Sequence, residues 1–221
     1  MSPRTGKPAA IADKADMPAS PVRRTQQERS SQAEKALMDA ATELFARRGV
    51  DQTSLADVGQ AAGYSRGLVN HHFGTKATLV ERLARRAQTD FVANFDDLDG
   101  DAVDVLVTLI DNYFSTLEHG GDGTRAFFVM WGAAIPSEAT LRPVYATDDA
   151  RFRFAVEAIL RSGQDTKTVA ADVDPSAGAV ALVGLVRGVS AQYLVDPDAV
   201  DLSAAKKACK TFVRRSFATS M

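Results

Sequence analysis

Two helical segments of about two turns each follow one another between residues 54 and 74, and helices that short do not stand alone in water. Ser54 and Asp57 have capping-box spacing at the start of the first, which stops at Gly63. Ser65 caps the second, Arg66 to Phe73, and Gly74-Thr75 closes it. Such a pair persists only if Val58, Ala62, Leu68, Val69 and Phe73 pack on Leu44, Phe45 and Leu79 of the longer segments on either side. That is the organisation of a helix-turn-helix, whose second helix is presented to a major groove.

The flanking segments carry helical period throughout. Leu37, Ala41, Leu44 and Phe45 line one face of a helix predicted over Gln26 to Arg48, with Gly49 as its left-handed terminator. Thr75 caps a helix running to about Asn94. Five more follow: Ala102 to Glu118; Thr124 to Ile135, apolar nearly all round and so predicted buried; a segment from Ser137 or Pro143 to Arg161; Pro175 to about Leu194; and a last one from Asp201 to Phe217. His119 to Gly123 reads as a loop, and Gly163 as a residue past a helix end. No stretch alternates with period two, so the prediction is an all-α chain of about nine helices.

Charge is unevenly spread. Residues 1–88 carry 14 Lys+Arg and 9 Asp+Glu, whereas residues 89–221 carry 12 and 19, for a net −2. A basic N-terminal part on an acidic body fits an anionic partner for the first part. Residues 1–25 hold Pro3, Pro8, Pro18 and Pro21 with no apolar periodicity, and read as a disordered basic tail, a solubilising arm. The single cysteine, Cys209, excludes an internal disulfide framework and predicts a reducing compartment. Met1 to Ser20 contains no apolar signal region, and the most apolar run, Ala177 to Val195, is broken by Arg187 and Gln192. The expectation is a soluble, cytoplasmic protein with no membrane partner. Phosphate loops, nucleophile elbows and metal-ligand spacings do not occur, so neither an enzyme nor a cofactor is expected. His71 and His72 are adjacent on a helix and diverge, which predicts no metal.

The run Leu37-Met38-Asp39-Ala40-Ala41-Thr42-Glu43-Leu44-Phe45-Ala46-Arg47-Arg48-Gly49, then Thr53-Ser54-Leu55, then Ala61 to Lys76 ending His71-His72-Phe73-Gly74-Thr75-Lys76, resembles the signature of TetR-family transcriptional regulators. The sequence departs from that pattern at Asn70, where the family commonly carries an aromatic residue. The resemblance implies a helix-turn-helix DNA-binding domain over residues 26–76 and a C-terminal helical ligand-binding and dimerisation domain over 77–221. It also implies operator DNA, a small-molecule effector and a second copy of the chain as partners, with repression as the family's habit. The alternative is an all-helical small-molecule or lipid carrier without DNA activity.

Chemistry assigns roles to residues within that frame. Arg66 suits guanine O6/N7, Asn70 adenine and Leu68 a thymine methyl, while Gly67 allows close approach. Thr53, Ser54, Tyr64, Ser65, His71, His72 and Lys76 are the candidate phosphate contacts, Ser54 and Ser65 doubling as caps. An aromatic-rich set, Phe91, Phe95, Tyr113, Phe114, Phe127, Met130, Trp131, Tyr145 and Phe152, is the candidate lining for an apolar effector, with core packing as its other reading. His119, Arg125 and Arg142 are possible polar anchors or surface residues. Val180, Ala181, Gly184, Leu185, Gly188 and Gln192, facing Ala205, Ala208, Cys209, Phe212 and Val213, form the candidate dimer surface, with intrachain packing as its rival.

Overall fold

Helix α1 (Gln26–Arg48) begins at a full capping box: the Thr25 hydroxyl accepts from the Glu28 N–H at 3.1 Å, and Glu28 Oε2 accepts from the Thr25 N–H at 2.7 Å. The structure, a computed structural model, describes residues 25–92, 100–136 and 141–219, so the predicted tail lies outside the described residues. Eight further helices follow among them: α2 (Leu55–Ala61), α3 (Arg66–Phe73), α4 (Lys76–Val92), α5 (Ala102–His119), α6 (Gly121–Ala134), α7 (Leu141–Asp165), α8 (Pro175–Val195) and α9 (Leu202–Phe217). The described residues contain no strand, only the bridge Val169–Ala218, which ties the loop after α7 to the end of α9.

Local signals fall where the sequence puts them. Asp174 accepts from Ser176 and Ala177 ahead of α8, with Pro175 at its first position. Asp201 accepts from Ala204 at 2.9 Å ahead of α9. Gly49 terminates α1 at φ +81°. Three expectations are corrected. Gly163 is not past the end of α7 but two residues inside it, because Ala102 of α5 and Val169 press against it and leave no room for a Cβ. The loop expected over 119–123 contracts to Gly120, which ends α5 and opens α6; a Cβ there would run into the Thr124 hydroxyl and the Thr116 carbonyl. And α6 is not buried all round. Ala126, Met130 and Ala134 form its buried face, while Phe127, Phe128 and Trp131 are half-buried.

The apolar interior gathers into two clusters. One joins α5, the later part of α7, α8 and α9 through residues such as Leu106, Ile110, Phe114, Val156, Leu160, Leu182 and Val213. The other holds Leu37, Ala41 and Phe45 of α1, Val58 of α2, Val69 and Phe73 of α3, and Leu79 and Leu83 of α4. That second cluster also contains Ala126, Met130 and Ala134 of α6 with Leu141, Val144 and Tyr145 of α7. The interior behind α3 therefore runs well past residue 76. Helix α8 is long and apolar enough to cross a membrane by length and composition; its Arg187 is buried against α7 and its buried apolar residues belong to the first cluster.

Candidate DNA-contact surface and ligand cavity

The turn between α2 and α3 is set by two glycines. Gly63 takes φ +75°, and the Tyr64 N–H bonds back to the Gly59 carbonyl at 2.8 Å. A Cβ on Gly59 would lie 3.0 Å from both the Tyr64 carbonyl oxygen and Val69 Cγ2, so α2 and α3 approach closely only because residue 59 has no side chain. Gly59 was not singled out in the sequence; a glycine in the middle of a two-turn helix was its only signal. Ser54 caps α2 with the predicted box, its N–H and hydroxyl both donating to Asp57 Oδ2 at 2.8 and 2.6 Å. Those bonds, the hydroxyl's first, hold the Asp57 carboxyl below the usual carboxylate range. Ser65 accepts from the Leu68 N–H at 3.3 Å and caps α3.

Val69 and Phe73 anchor α3 to the core, which leaves Arg66, Gly67, Asn70 and His71 exposed and Leu68 half-buried. Arg66, Gly67 and Asn70 are thus exposed together at the first turns of α3, while Leu68 turns partly toward the protein. The predicted phosphate contacts divide. Ser54, Ser65 and His71 are exposed, Tyr64 is half-buried against the core, and Lys76 reaches back to the Asp51 carbonyl at 3.3 Å. Two are turned away from that surface. Thr53 is 1% exposed and its hydroxyl donates to the Gly49 carbonyl at 3.0 Å, closing the α1–α2 turn. His72 is packed inward, its side chain 7% exposed with Nδ1 4.0 Å from Glu34 of α1.

A cavity of about 440 Å³ opens between α1, α4, α5 and α6. Helix α1 contributes Asp39, Thr42 and Glu43; α4 Leu83 and Arg86; α5 Tyr113, Thr116 and Leu117; and α6 Asp122, Ala126, Phe127 and Met130, with Gly120 at the corner. Asp148 of α7 and Arg187 of α8 complete it. Of the predicted lining, Tyr113, Phe127 and Met130 are there. Phe114 is fully buried in the core instead, and Trp131, Tyr145 and Phe152 stand behind the wall: Tyr145 packs on Phe127 with ring centres 5.5 Å apart, and Phe152 stacks on Tyr113 at 6.2 Å. The Phe91 side chain and Phe95 lie outside the described residues.

Of the two readings open to His119, Arg125 and Arg142, the anchor reading fails. His119 bonds the Ser115 carbonyl, Arg125 the Leu194 carbonyl and Arg142 the Ile135 carbonyl, and none of the three lines the cavity. In their place stands Arg187, 6% exposed, paired with Asp149 through Nη1 and 3.8 Å from Asp148 through Nη2. Its guanidinium lies 5.3 Å from the Trp131 ring centre, 5.8 Å from Phe127 and 6.0 Å from Phe152. Burial raises the Asp148 carboxyl pKa, which Arg187 offsets only in part. Burial likewise pushes the Tyr113 hydroxyl up to about 12. At the other wall Arg86 pairs with Asp39 at 2.9 Å, linking α4 to α1; burial works against that carboxylate, but hydrogen bonds from Lys35 and Arg86 hold its pKa down.

Val180, Ala181, Gly184, Gly188 and Gln192 form an exposed stripe along α8, continued by Val195, and Ala208 and Phe212 are exposed on α9. Val180 is 56% and Phe212 49% exposed, large for apolar side chains. Leu185 and Ala205 are half-buried at its edge. Cys209 and Val213 do not belong to the stripe: at 3% and 0% exposed they point into the intrachain core, each about 100° round α9 from its neighbour Ala208 or Phe212.

Comparison with known proteins agrees with this architecture. Residues 37–83 match the family described as bacterial regulatory proteins, tetR family, and residues 102–218 match the BetI-type transcriptional repressor C-terminal family. The regulator TtgR of Pseudomonas putida is 42% identical over 62 residues, which are 28% of this chain and 29% of TtgR. Across the first curated relatives the chain spans between 29% and 36% of their length. AcrR of Shigella flexneri is 24% identical over 208 residues, covering 86% of this chain and 90% of AcrR. Among solved structures, a transcriptional regulator from Saccharomonospora viridis in complex with choline superposes with a TM-score of 0.74 at 21% identity, covering 86% of this chain and all of that one. NalD, the secondary repressor of the MexAB-OprM multidrug efflux pump in Pseudomonas aeruginosa, gives 0.71 at 22% identity over 88% of this chain and 100% of NalD. With the family's two regions matched in order along one all-α chain, the protein belongs to the TetR family of bacterial transcriptional regulators.

Proposed function

We propose that the chain is a homodimeric, sequence-specific DNA-binding repressor of the cytoplasm, released from its operator by a small, largely apolar effector. The observation that carries this reading is the exposed end of α3. Arg66, Gly67 and Asn70 stand clear of the protein on a helix held from behind by Val69 and Phe73. Arg66 and Asn70, four apart, present a guanidinium and an amide suited to guanine and adenine edges. Ser54, Tyr64, Ser65, His71 and Lys76 surround them as candidate phosphate contacts.

The α8 stripe with Ala208 and Phe212 is the surface on which a second copy would sit. Two such copies would set their α3 helices into major grooves about one helical turn, roughly 34 Å, or a multiple of it, apart. The cavity touches both parts of the molecule, since Asp39 and Glu43 belong to the helix that backs α3 while Tyr113 and Arg187 belong to the C-terminal bundle. A ligand that fits the cavity better when α1 and α6 have shifted would lower the population able to bind DNA.

Titration of the protein against its own upstream DNA across a salt series, wild type beside Arg66→Ala, tests this reading. The expected result is specific binding that weakens steeply with salt, with Arg66→Ala costing about 1–3 kcal/mol. Wild-type binding that is only non-specific and unchanged in Arg66→Ala would overturn the assignment of Arg66, and failure on any DNA would favour the carrier reading.

A further inference from the structure

Asp148 is the carboxylate in the cavity without a hydrogen-bond donor among the described residues, and Arg187 Nε beside it is likewise without an acceptor. The Asp148 side chain is 9% exposed and faces the cavity. Among the described residues its ion pair is with Arg187 Nη2 at 3.8 Å, too long for a hydrogen bond, while Arg151 adds a weaker positive field and Asp149 a negative one. The neighbouring Asp149 takes the donors instead: Arg187 Nη1 pairs with one of its oxygens and Trp131 Nε1 donates to the other at 3.4 Å. Two carboxylates thus share one guanidinium, and the surplus negative charge sits on the one that lines the cavity. A buried carboxylate without a donor is costly, and a ligand that brings both charge and N–H groups removes that cost.

The rest of the lining points the same way. Both cations that reach the cavity, Arg86 and Arg187, have carboxylate partners; Asp39 and Glu43 are paired in turn, with Lys35 and Arg86 and with Arg47, and Asp122 is exposed. An anionic ligand would have to take Arg187 from Asp149 while lying beside Asp148. Leu83, Leu117, Phe127 and Met130 supply apolar wall for the body of a ligand. We infer that the cavity takes a protonated organic amine with an apolar body, its ammonium seated on Asp148. This rests on reading the cavity as the effector site and names the chemistry that the effector carries.

Isothermal titration calorimetry of the full chain without DNA, using phenylbutylamine, phenylbutanol and phenylbutyrate, tests it. Wild type is expected to bind the amine at least about tenfold more tightly than the alcohol, with the carboxylate weakest. Asp148→Asn is expected to bring the amine down to the affinity of the alcohol while the alcohol still binds, which reports an intact cavity. An alcohol or carboxylate that binds wild type as well as the amine, no binding by any of the three, or an amine preference that survives Asp148→Asn overturns the inference. If the variant loses alcohol binding as well, the wild-type series decides alone. Because DNA is absent, the two readings fail separately: an amine that binds without releasing DNA sinks only the effector reading, and a neutral compound that alone releases DNA sinks only this one.

Discussion

Arg187 is a cation enclosed by three aromatic rings and two carboxylates, and it is the one charged residue within α8. Its neighbour Asp148 is desolvated, and its carboxyl is raised above the ordinary 3.8, by burial first and against the pull of Arg187. A carboxyl that holds its proton longer in the folded state takes up protons on folding. Stability therefore falls as pH rises from 3.8 through the raised folded value, and above that value the whole cost is carried. Asp148→Asn, which leaves Arg187 its pair with Asp149, is expected to melt at higher temperature than wild type at neutral pH, with the gap closing as pH falls toward 3.8. A lower melting temperature at neutral pH would mean that the 3.8 Å contact outweighs desolvation.

At the scale of elements, contacts between helices decide what propensity leaves open. Gly163 is in α7 because Ala102 of α5 comes within 2.5 Å of where its Cβ would stand. Gly163→Ala must push α5 or the Val169 loop aside, and a cost of about 1–3 kcal/mol is expected in urea or thermal unfolding, although alanine is the better helix former. A neutral or stabilising effect would show that α5 and α7 have room to separate. The same residue illustrates what a sequence conveys. The caps at Ser54, Ser65, Asp174 and Asp201 are legible because cap and capped N–H lie within three residues. Gly163 and Gly120 mislead because a terminator and a close-packed glycine look alike until the neighbouring helix is known. Arg187 with Asp148 and Asp149 was out of reach for the same reason, since the partners are 38 or more residues apart in sequence and meet only through α7–α8 packing. Cys209 and Val213 were grouped with Phe212 because periodicity identifies apolar positions on α9 without saying which of them meet the chain itself.

For the whole molecule, the exposed stripe on α8 is the surface proposed above for a second copy. Val180, Ala181, Gly184 and Gly188 offer little side chain and a close helix approach, with Phe212 as a large apolar contact beside them. Val180→Asp would desolvate a carboxylate in any symmetric α8 contact. It is expected to shift the protein from dimer to monomer in analytical ultracentrifugation and to lower operator affinity, while its melting as a monomer stays cooperative because Val180 is 56% exposed within the chain. A dimer that survives the change would place the contact elsewhere.

The second hydrophobic cluster has a consequence for how such proteins can be recombined. Leu37, Ala41 and Phe45 share their interior with Ala126, Met130, Leu141 and Tyr145, so the reading head has no floor of its own. A chimera that joins residues 26–92 of this chain to the remainder of a relative would set this α1 against a foreign α6, and voids or clashes there would tilt α3 before any operator was met. The transplantable unit is thus discontinuous: the first four helices together with α6 and the opening turns of α7.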